Sequence, residues 1–385
     1  MKITVLTTEY NPLHNGHVYH IRKTREHFPD NYLVGVMSGS FTLRGEPAIL
    51  DKFTRARHAI LAGLDAVIEL PAFSSFLNGE LFAKSSMSIA KLIDADSISF
   101  GSECGNVNEL VELNDVLENP SDDFQSVFQS NMAEGKSYPR SLCETFSTLY
   151  PDKPYADILN EPNNNLALMY LKAIKDSVIT PFTVKRSDTG FHSDTPTQNL
   201  LSASGIRKKL LSGNTQCLSE FLPDFVLQDL LESNYSKLND FSTLILFKLR
   251  TMPVEKLAEI FDVAEGLENR FVKCVNEVQT LDELLEKVKS KRYTLSRLKR
   301  ILLCALFDVT KSKVNLLENL SYGRLLAVNK EKTDLLSHLK SHGIITRYSE
   351  LKEKHKPIWD MENSYSDTHA LLLGKILQNR NTLFI

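Results

Sequence analysis

His14, Gly16 and His17 form the spacing H-x-G-H inside TEYNPLHNGHVYH (residues 8–20), with His20 one helical turn further on. Three arrangements use such a cluster. A metal site would take His14 and His17 as ligands, but no carboxylate or cysteine cluster stands nearby to complete the sphere. An ordinary turn needs only Asn15 and Gly16, and it gives the two histidines no task. A phosphate site uses all of them. The unpaired amides and partial positive charge of a helix N-terminus face an anion. Imidazole N–H groups add hydrogen bonds as charge grows in a transition state. Gly16 lets a ribose or base approach the backbone, and His20 either lines the same pocket or packs beneath it.

LSASGIRK (201–208) carries a second signal, with Ser202 and Ser204 at a helix start and Arg207 about one turn in. A capped helix with an arginine is commonplace. Beside H-x-G-H it suits the distal phosphates of a nucleotide. Together the two point to ATP held for attack on its α-phosphate, with pyrophosphate leaving.

A scaffold must bring residues 14–20 and 202–207 together. KITVLTT (2–8), YLVGVMSG (32–39), DAVIELP (65–71) and SISFG (97–101) read as strands. Helices are expected over 15–27, from a cap at Asp51 to a stop at Gly63, and over about 76–93. Continuously apolar strands imply a sheet covered on both faces, and the strand–helix repeat implies parallel strands with right-handed crossovers. The expected fold class is α/β with a Rossmann-like parallel sheet, whose ligands sit at the carboxyl ends of the strands. Residues 107–176 are mainly helical in pattern, and PFTVKR (181–186) is a further strand. After about 215 the strand signals disappear, while DFSTLILFKLR and SRLKRILLCALF carry helical periodicity.

The 385 residues exceed one ordinary core. The expected division is an ATP-binding catalytic domain over 1–225 and a mostly α-helical, basic domain over 226–385. Charge divides the same way: residues 1–235 carry a net −9 and residues 236–385 a net +6, with 17 basic against 6 acidic residues within 287–356. A basic half behind an acidic one suits a polyanionic partner or a solvated lysine-rich surface. No apolar run approaches the roughly 20 residues that span a bilayer, so no membrane is expected as a partner. MKITVLTTEYNP reads as a first strand rather than a signal peptide. Five scattered cysteines with no C-x-x-C pair fit reduced thiols in a cytoplasmic protein, without a disulfide framework or structural zinc.

EYNPLHNGHVYH, VMSGSFTLRGEPA, DAVIELP, FGSE, PNNNLALMYLKAI and KRSDTGFHSD occur in the order and spacing of one family. The H-x-G-H and S-x-S-x-x-R pair resembles the nucleotidylyltransferase superfamily, and the finer match resembles the bacterial tRNA(Met) cytidine acetate ligase family. The resemblance spans most of the first 215 residues and continues through YTLSRLKRILLCALF and YGRLLAVNKEKTDLLSHLK. It departs at Leu13, where the family pattern has phenylalanine, and at Leu43, where it has glutamine.

What the resemblance implies is an ATP-dependent ligase. Acetate attacks the α-phosphate, giving acetyl-adenylate and pyrophosphate. The exocyclic amine of the wobble cytidine of elongator tRNA(Met) then takes the acetyl group, giving N4-acetylcytidine and AMP. His14 and His17 are the implied catalytic pair. Thr7, Thr8, Glu9, Tyr10, Asn11, Pro12, Leu13, His14, Asn15, Gly16, His17, Val18, Tyr19 and His20 wrap ATP, with Gly101, Asn163 and Arg186 also at the nucleotide and Arg207 added from the superfamily pattern. Plainer roles exist for some: a strand-ending glycine at Gly101, a helix cap at Asn163, an exposed ion pair at Arg186. Lys52, Arg44 and Glu46 stand nearby without an assigned role. ATP is expected to arrive with Mg²⁺, with no protein-built metal site.

For the RNA, KVKSKRYTLSRLKR (287–300) holds seven basic residues and Tyr293. If 292–306 is helical, Leu295, Leu298, Leu302, Ala305 and Leu306 make its buried stripe, with Ile301 at its edge. Tyr293, Arg297 and Arg300 then share the outer face, with Arg292 near the margin. That arrangement suits phosphate contacts and one stacking platform, or simply a solvated helix. Arg324 and the lysines at 330–332 extend the surface. Two other readings remain: a small-molecule adenylyltransferase of the same superfamily, and a non-catalytic RNA-binding protein with ATP as a structural or regulatory ligand.

Overall fold

A computed structural model of the chain describes residues 1–186, 201–290, 292–318, 321–375 and 381–385. Most of KRSDTGFHSD lies outside the described residues. The first five strands form where the apolar segments stand: β1 (Ile3–Thr8), β2 (Tyr32–Met37), β3 (Ala66–Glu69), β4 (Ser97–Ser102) and β5 (Thr180–Lys185). They run parallel in the spatial order β5-β4-β1-β2-β3. The chain therefore leaves β1 in one direction and later returns beside it as β4. The crevice between their carboxyl ends is the switch point where such sheets bind ligands.

The strands are apolar throughout because both faces are covered. Ile3, Val5, Val34, Val36 and Ile68 join one core with the helices Gly79–Leu92, Val107–Glu118 and Pro162–Ile174. Leu6, Leu33, Met37 and Val67 alternate to the other, under the helices Asn15–His27, Lys52–Leu61 and Ala203–Leu211. Asp51 caps its helix as expected, its Oδ1 accepting from the amides of Phe53 and Thr54 at 3.0 Å. Gly63 follows that helix at φ +112°. A third core joins the helices Ser242–Thr251, Leu267–Val275, Leu281–Val288 and Leu295–Leu306.

The second half is mostly helical, yet strands do not end near residue 215. β6 (Gly323–Val328), β7 (Ile344–Ile345) and β8 (Leu383–Phe384) all join the sheet, β6 antiparallel to β3. GRLLAV is six buried residues of Gly, Leu and Ala with one arginine and a single β-branched side chain. Neither its period nor its composition separates it from a helix turn.

Register with β3 places Arg324 opposite Glu69. Lys52 donates to both Glu69 oxygens at 2.6 and 2.8 Å, and all three side chains are buried. Arg324 lies over the Trp359 ring at 4.4 Å and donates to Asn363 at 3.2 Å, while the Tyr322 hydroxyl donates to Glu362 at 3.3 Å. Arg324 is thus a core residue, which corrects its expected place on a basic surface, and Lys52 belongs to this cluster. Among the described residues no helix is long and apolar enough to cross a membrane.

Candidate active site

The carboxyl ends of β1 and β4 open into a cavity of about 500 Å³, within the range of small-molecule sites. Thr7, Thr8, Glu9, Tyr10, Asn11, His14, His17 and His20 line it, with Gly101, Asn163, Arg186 and Arg207. Pro12, Leu13, Asn15, Gly16, Val18 and Tyr19 do not. Leu13 is a core residue, Asn15 ties its side chain to the Glu220 carbonyl at 3.0 Å, and Tyr19 lines a separate shallow groove.

The helix Asn15–His27 is capped by two histidines. The His14 Nδ1 accepts from the Gly16 amide at 3.1 Å, and the His17 Nδ1 accepts from the His14 amide at 3.2 Å. A backbone N–H only donates, so both Nδ1 atoms act as lone pairs and each neutral ring carries its proton on Nε2. The rings stack with centroids 3.7 Å apart. The capping box therefore leaves two Nε2–H donors side by side at a helix N-terminus. His20 differs. Thr24 donates to the His20 carbonyl, so Ser99 donates to Thr24 and accepts from the His20 Nε2–H at 2.9 Å. His20 both lines the cavity and packs into β4.

Burial, seconded by Arg186, holds His14 at about 3 and His20 at about 4. Burial, with His14, Arg186 and His20, holds His17 well below its ordinary value. His369, buried against the Ala48 carbonyl at 2.7 Å, is held by burial at about 4. These rings bind protons below pH 6.5 more readily in the unfolded chain than in the folded one, so stability rises with pH across that window. It is fully present above 6.5 and is lost as pH falls toward 4. Denaturant titration should show it falling by up to about 1.4 kcal/mol per pH unit for each such ring. A flat profile between 6.5 and 4.5 would contradict the burial argument.

Tyr10 takes φ 45°, a left-handed conformation that costs a non-glycine residue of order 1 kcal/mol or more. Behind it, the buried Arg55 donates to the carbonyls of Leu50 at 3.1 Å and Glu9 at 2.6 Å, and also to that of Gly39. One guanidinium thereby fixes the backbone after both β1 and β2.

Ser202 caps the helix Ala203–Leu211, accepting from the Gly205 amide at 3.1 Å and lying 3.0 Å from the Ser204 hydroxyl. Arg207 donates to the Asn11 carbonyl at 2.8 Å and pairs with Glu46 at 3.3 Å. Ser202, Ser204 and Arg207 all reach the cavity wall. Asn163 is not the cap of its helix. Glu103, at the end of β4, takes the amides of Asn163 at 3.3 Å and Asn164 at 2.9 Å, and the Asn163 side chain at 2.5 Å. FGSE held that residue, but nothing in the sequence tied it to PNNN.

The segment 41–47 closes the cavity toward the second half. Glu46 bridges Arg207 and Lys299, the latter at 2.5 Å, and Arg300 donates to the Leu43 carbonyl at 3.2 Å. The Leu43 amide donates to Glu9 at 2.7 Å, so residue 43 is held through its backbone whatever its side chain. Gly45 stands at φ +72°, where a Cβ would lie 2.5 Å from the Arg300 nitrogen. Gly45→Ala should cost about 2 kcal/mol or more, the conformational penalty adding to a clash with backbone that cannot rotate aside. Urea titration checks this; a midpoint unchanged from wild type would show that the loop does not need this contact.

The helix Leu295–Leu306 corrects the expected RNA face. Thr294 is its N-cap, so Tyr293 precedes the helix and does not share its wheel. Tyr293 is 6% exposed in the helical core and is no open stacking platform. Arg297 folds over that ring at 5.4 Å and pairs with Asp262 at 3.1 Å, and Arg300 lines the cavity. Leu295, placed in the buried stripe, is exposed, while Ile301 is fully buried. Arg292 is exposed. Phe82, Leu166, Met169, Tyr170 and Ser296 also line the cavity and were missed. Leu166, Met169 and Tyr170 recur with Pro162 and Asn163 on one face of a helix, the spacing that could have found them. Among the described residues no group of three or more histidine, cysteine, aspartate or glutamate side chains could hold a metal ion.

A family model described as HIGH Nucleotidyl Transferase matches residues 1–382. A Thermoanaerobacter sp. (strain X514) protein named tRNA(Met) cytidine acetate ligase is 36% identical over 370 residues, covering 92% of this chain and 90% of that protein. A protein of the same name from Caldicellulosiruptor bescii is 36% identical over 387 residues, covering 96% and 94%. The fold is that of the Thermotoga maritima TmcAL crystal structure, apo form, with a TM-score of 0.90, 24% identity and full coverage of both chains. A second structure of that protein, described as bound with alpha-thio ATP, superposes with a TM-score of 0.88.

Proposed function

The chain belongs to the HIGH nucleotidyl transferase family and, within it, to the tRNA(Met) cytidine acetate ligases, and on that premise we propose that it joins acetate to ATP and passes the acetyl group to the wobble cytidine of elongator tRNA(Met). Acetate attacks the α-phosphorus and pyrophosphate leaves, giving acetyl-adenylate. The cytidine amine then attacks the acetyl carbon, AMP leaves, and N4-acetylcytidine remains. A free carboxylate is a poor acyl donor, and the mixed anhydride supplies AMP as the leaving group.

The observation that carries this reading is the pair of Nε2–H donors on His14 and His17, set at a helix N-terminus and facing the same cavity as Ser202, Ser204 and Arg207. In this reading the histidines hold the α-phosphate oxygens as charge builds in the transition state. Ser202, Ser204 and Arg207 hold the departing phosphates, accompanied by Mg²⁺. Gly101, Asn163 and Arg186 line the adenosine end. Nucleotide handling is assigned to residues 1–225 and tRNA binding to residues 226–385, with Arg292 on the exposed surface, Arg297 paired with Asp262 and Arg300 at the cavity wall. No covalent enzyme intermediate is needed, since positioning and charge stabilisation carry both steps.

The test is ATP–pyrophosphate exchange across a panel of short carboxylic acids, followed by transfer of labelled acid to total tRNA. Acetate-dependent exchange and label confined to tRNA(Met) are expected. Exchange without acetate, or no label in tRNA, would overturn the reading in favour of an adenylyltransferase.

A further inference from the structure

The cavity has two sides, and the end of β1 with the two residues that follow it lines both. Thr8 and Tyr10 lie on the side of His17, whose ring meets the Tyr10 ring edge-on at 5.0 Å. Thr7, and Glu9 just beyond the end of the strand, lie toward Tyr170 on the other side. There Tyr170 approaches the Thr7 hydroxyl and feels the Glu9 charge, and Phe82 and Met169 add apolar wall. Glu9 is half-buried. The Leu43 amide fixes its Oε1 at 2.7 Å and Arg55 fixes its carbonyl at 2.6 Å. Among the described residues its second carboxylate oxygen has no hydrogen-bond partner, and Glu9 lines the cavity.

A carboxylate repels both phosphate and acetate, and the positive charges of Arg44, Arg207 and Arg55 around it only temper that conflict. For an N–H donor it is a strong acceptor. We propose that this side of the cavity is the subsite for the reacting base, an aminopyrimidine, and that Glu9 accepts a hydrogen bond from its exocyclic amine and takes the amine's proton during acyl transfer. The assignment rests on the function proposed above.

In the step, the amine lone pair forms the C–N bond to the acetyl carbon. The bond from that carbon to the phosphate oxygen breaks, and AMP leaves with its electron pair. The N–H proton passes to the free Glu9 oxygen. Burial holds the Glu9 carboxyl above its ordinary range, against the Leu43 amide and the three arginines, which makes it a better proton acceptor. A uracil in the same place would set a carbonyl oxygen against the carboxylate, so the contact also rejects the wrong pyrimidine.

Glu9→Gln keeps the size of the side chain and an oxygen for the Leu43 amide. Single-turnover acetyl transfer to tRNA(Met) should fall about 100-fold more than acetate-dependent pyrophosphate exchange falls. Binding of a short anticodon stem-loop in the presence of a non-hydrolysable ATP analogue supplies a readout independent of turnover. Wild type should prefer cytidine over uridine at the wobble position by about tenfold, and the variant should lose that preference. An unchanged melting temperature identifies the loss as chemical. Equal loss of exchange and transfer, or no cytidine preference in wild type, would overturn the proposal. Wild-type exchange that ignores acetate would overturn the function reading instead, and the stem-loop comparison would still decide the subsite.

Discussion

His17→Ala should lower acetate-dependent ATP–pyrophosphate exchange by about 10²–10³-fold, the usual cost of deleting one donor at a developing negative charge. The substitution removes the Nε2–H and also the acceptor for the His14 amide, one half of the capping box. The lost cap costs about 1 kcal/mol of stability, too little to unfold the chain but enough to require a melting curve beside the kinetics. His14 keeps its own bond to the Gly16 amide, so part of the phosphate site survives. Affinity for tRNA should stay near the wild-type value, because residues 226–385, proposed above to bind it, are untouched. A loss of tRNA affinity in parallel with exchange would mark His17 as a folding residue.

The largest effect on stability is expected at Lys52. Lys52→Met leaves the Glu69 carboxylate buried without its ammonium, and breaking such a pair costs about 3–5 kcal/mol. Arg324 stands 4.0 Å from Glu69 and compensates in part, which places the loss toward the lower end. Lys52→Met combined with Glu69→Leu removes both charges and should be less destabilised than the single variant. Urea unfolding followed by helix content measures both. A double variant weaker than Lys52→Met would mean that Glu69 is held mainly by its other neighbours.

The site was legible where chemistry and local structure coincide in a few residues. H-x-G-H sits after a strand and opens a helix, so its spacing, capping and place at the sheet's carboxyl edge all follow from one stretch. Ser202 and Arg207 were legible for the same reason. Tyr293 was misplaced because a helical wheel was continued through Thr294, the residue that ends it. Glu103 was missed as a cap because its helix begins at Pro162, and long-range caps leave no trace in local sequence. β6 escaped because a short apolar strand has no period of its own. The basic residues split into exposed Arg292, Arg297 paired with Asp262, and Arg300, whose contact with the Leu43 carbonyl comes from far upstream.

The antiparallel pairing of β3 with β6 sets an order in time. As the chain leaves the ribosome, β1 to β5 are complete once residue 185 has emerged, but β3 is then an open edge of the kind that invites wrong partners. Lys52 and Glu69 face a side still lacking Arg324, Trp359 and Glu362. Ser296 and Arg300 have not yet joined the cavity wall. The nucleotide layer therefore reaches its final form only after the half assigned to tRNA has been synthesised. The candidate site and the half proposed to receive tRNA are thereby completed together, late in synthesis.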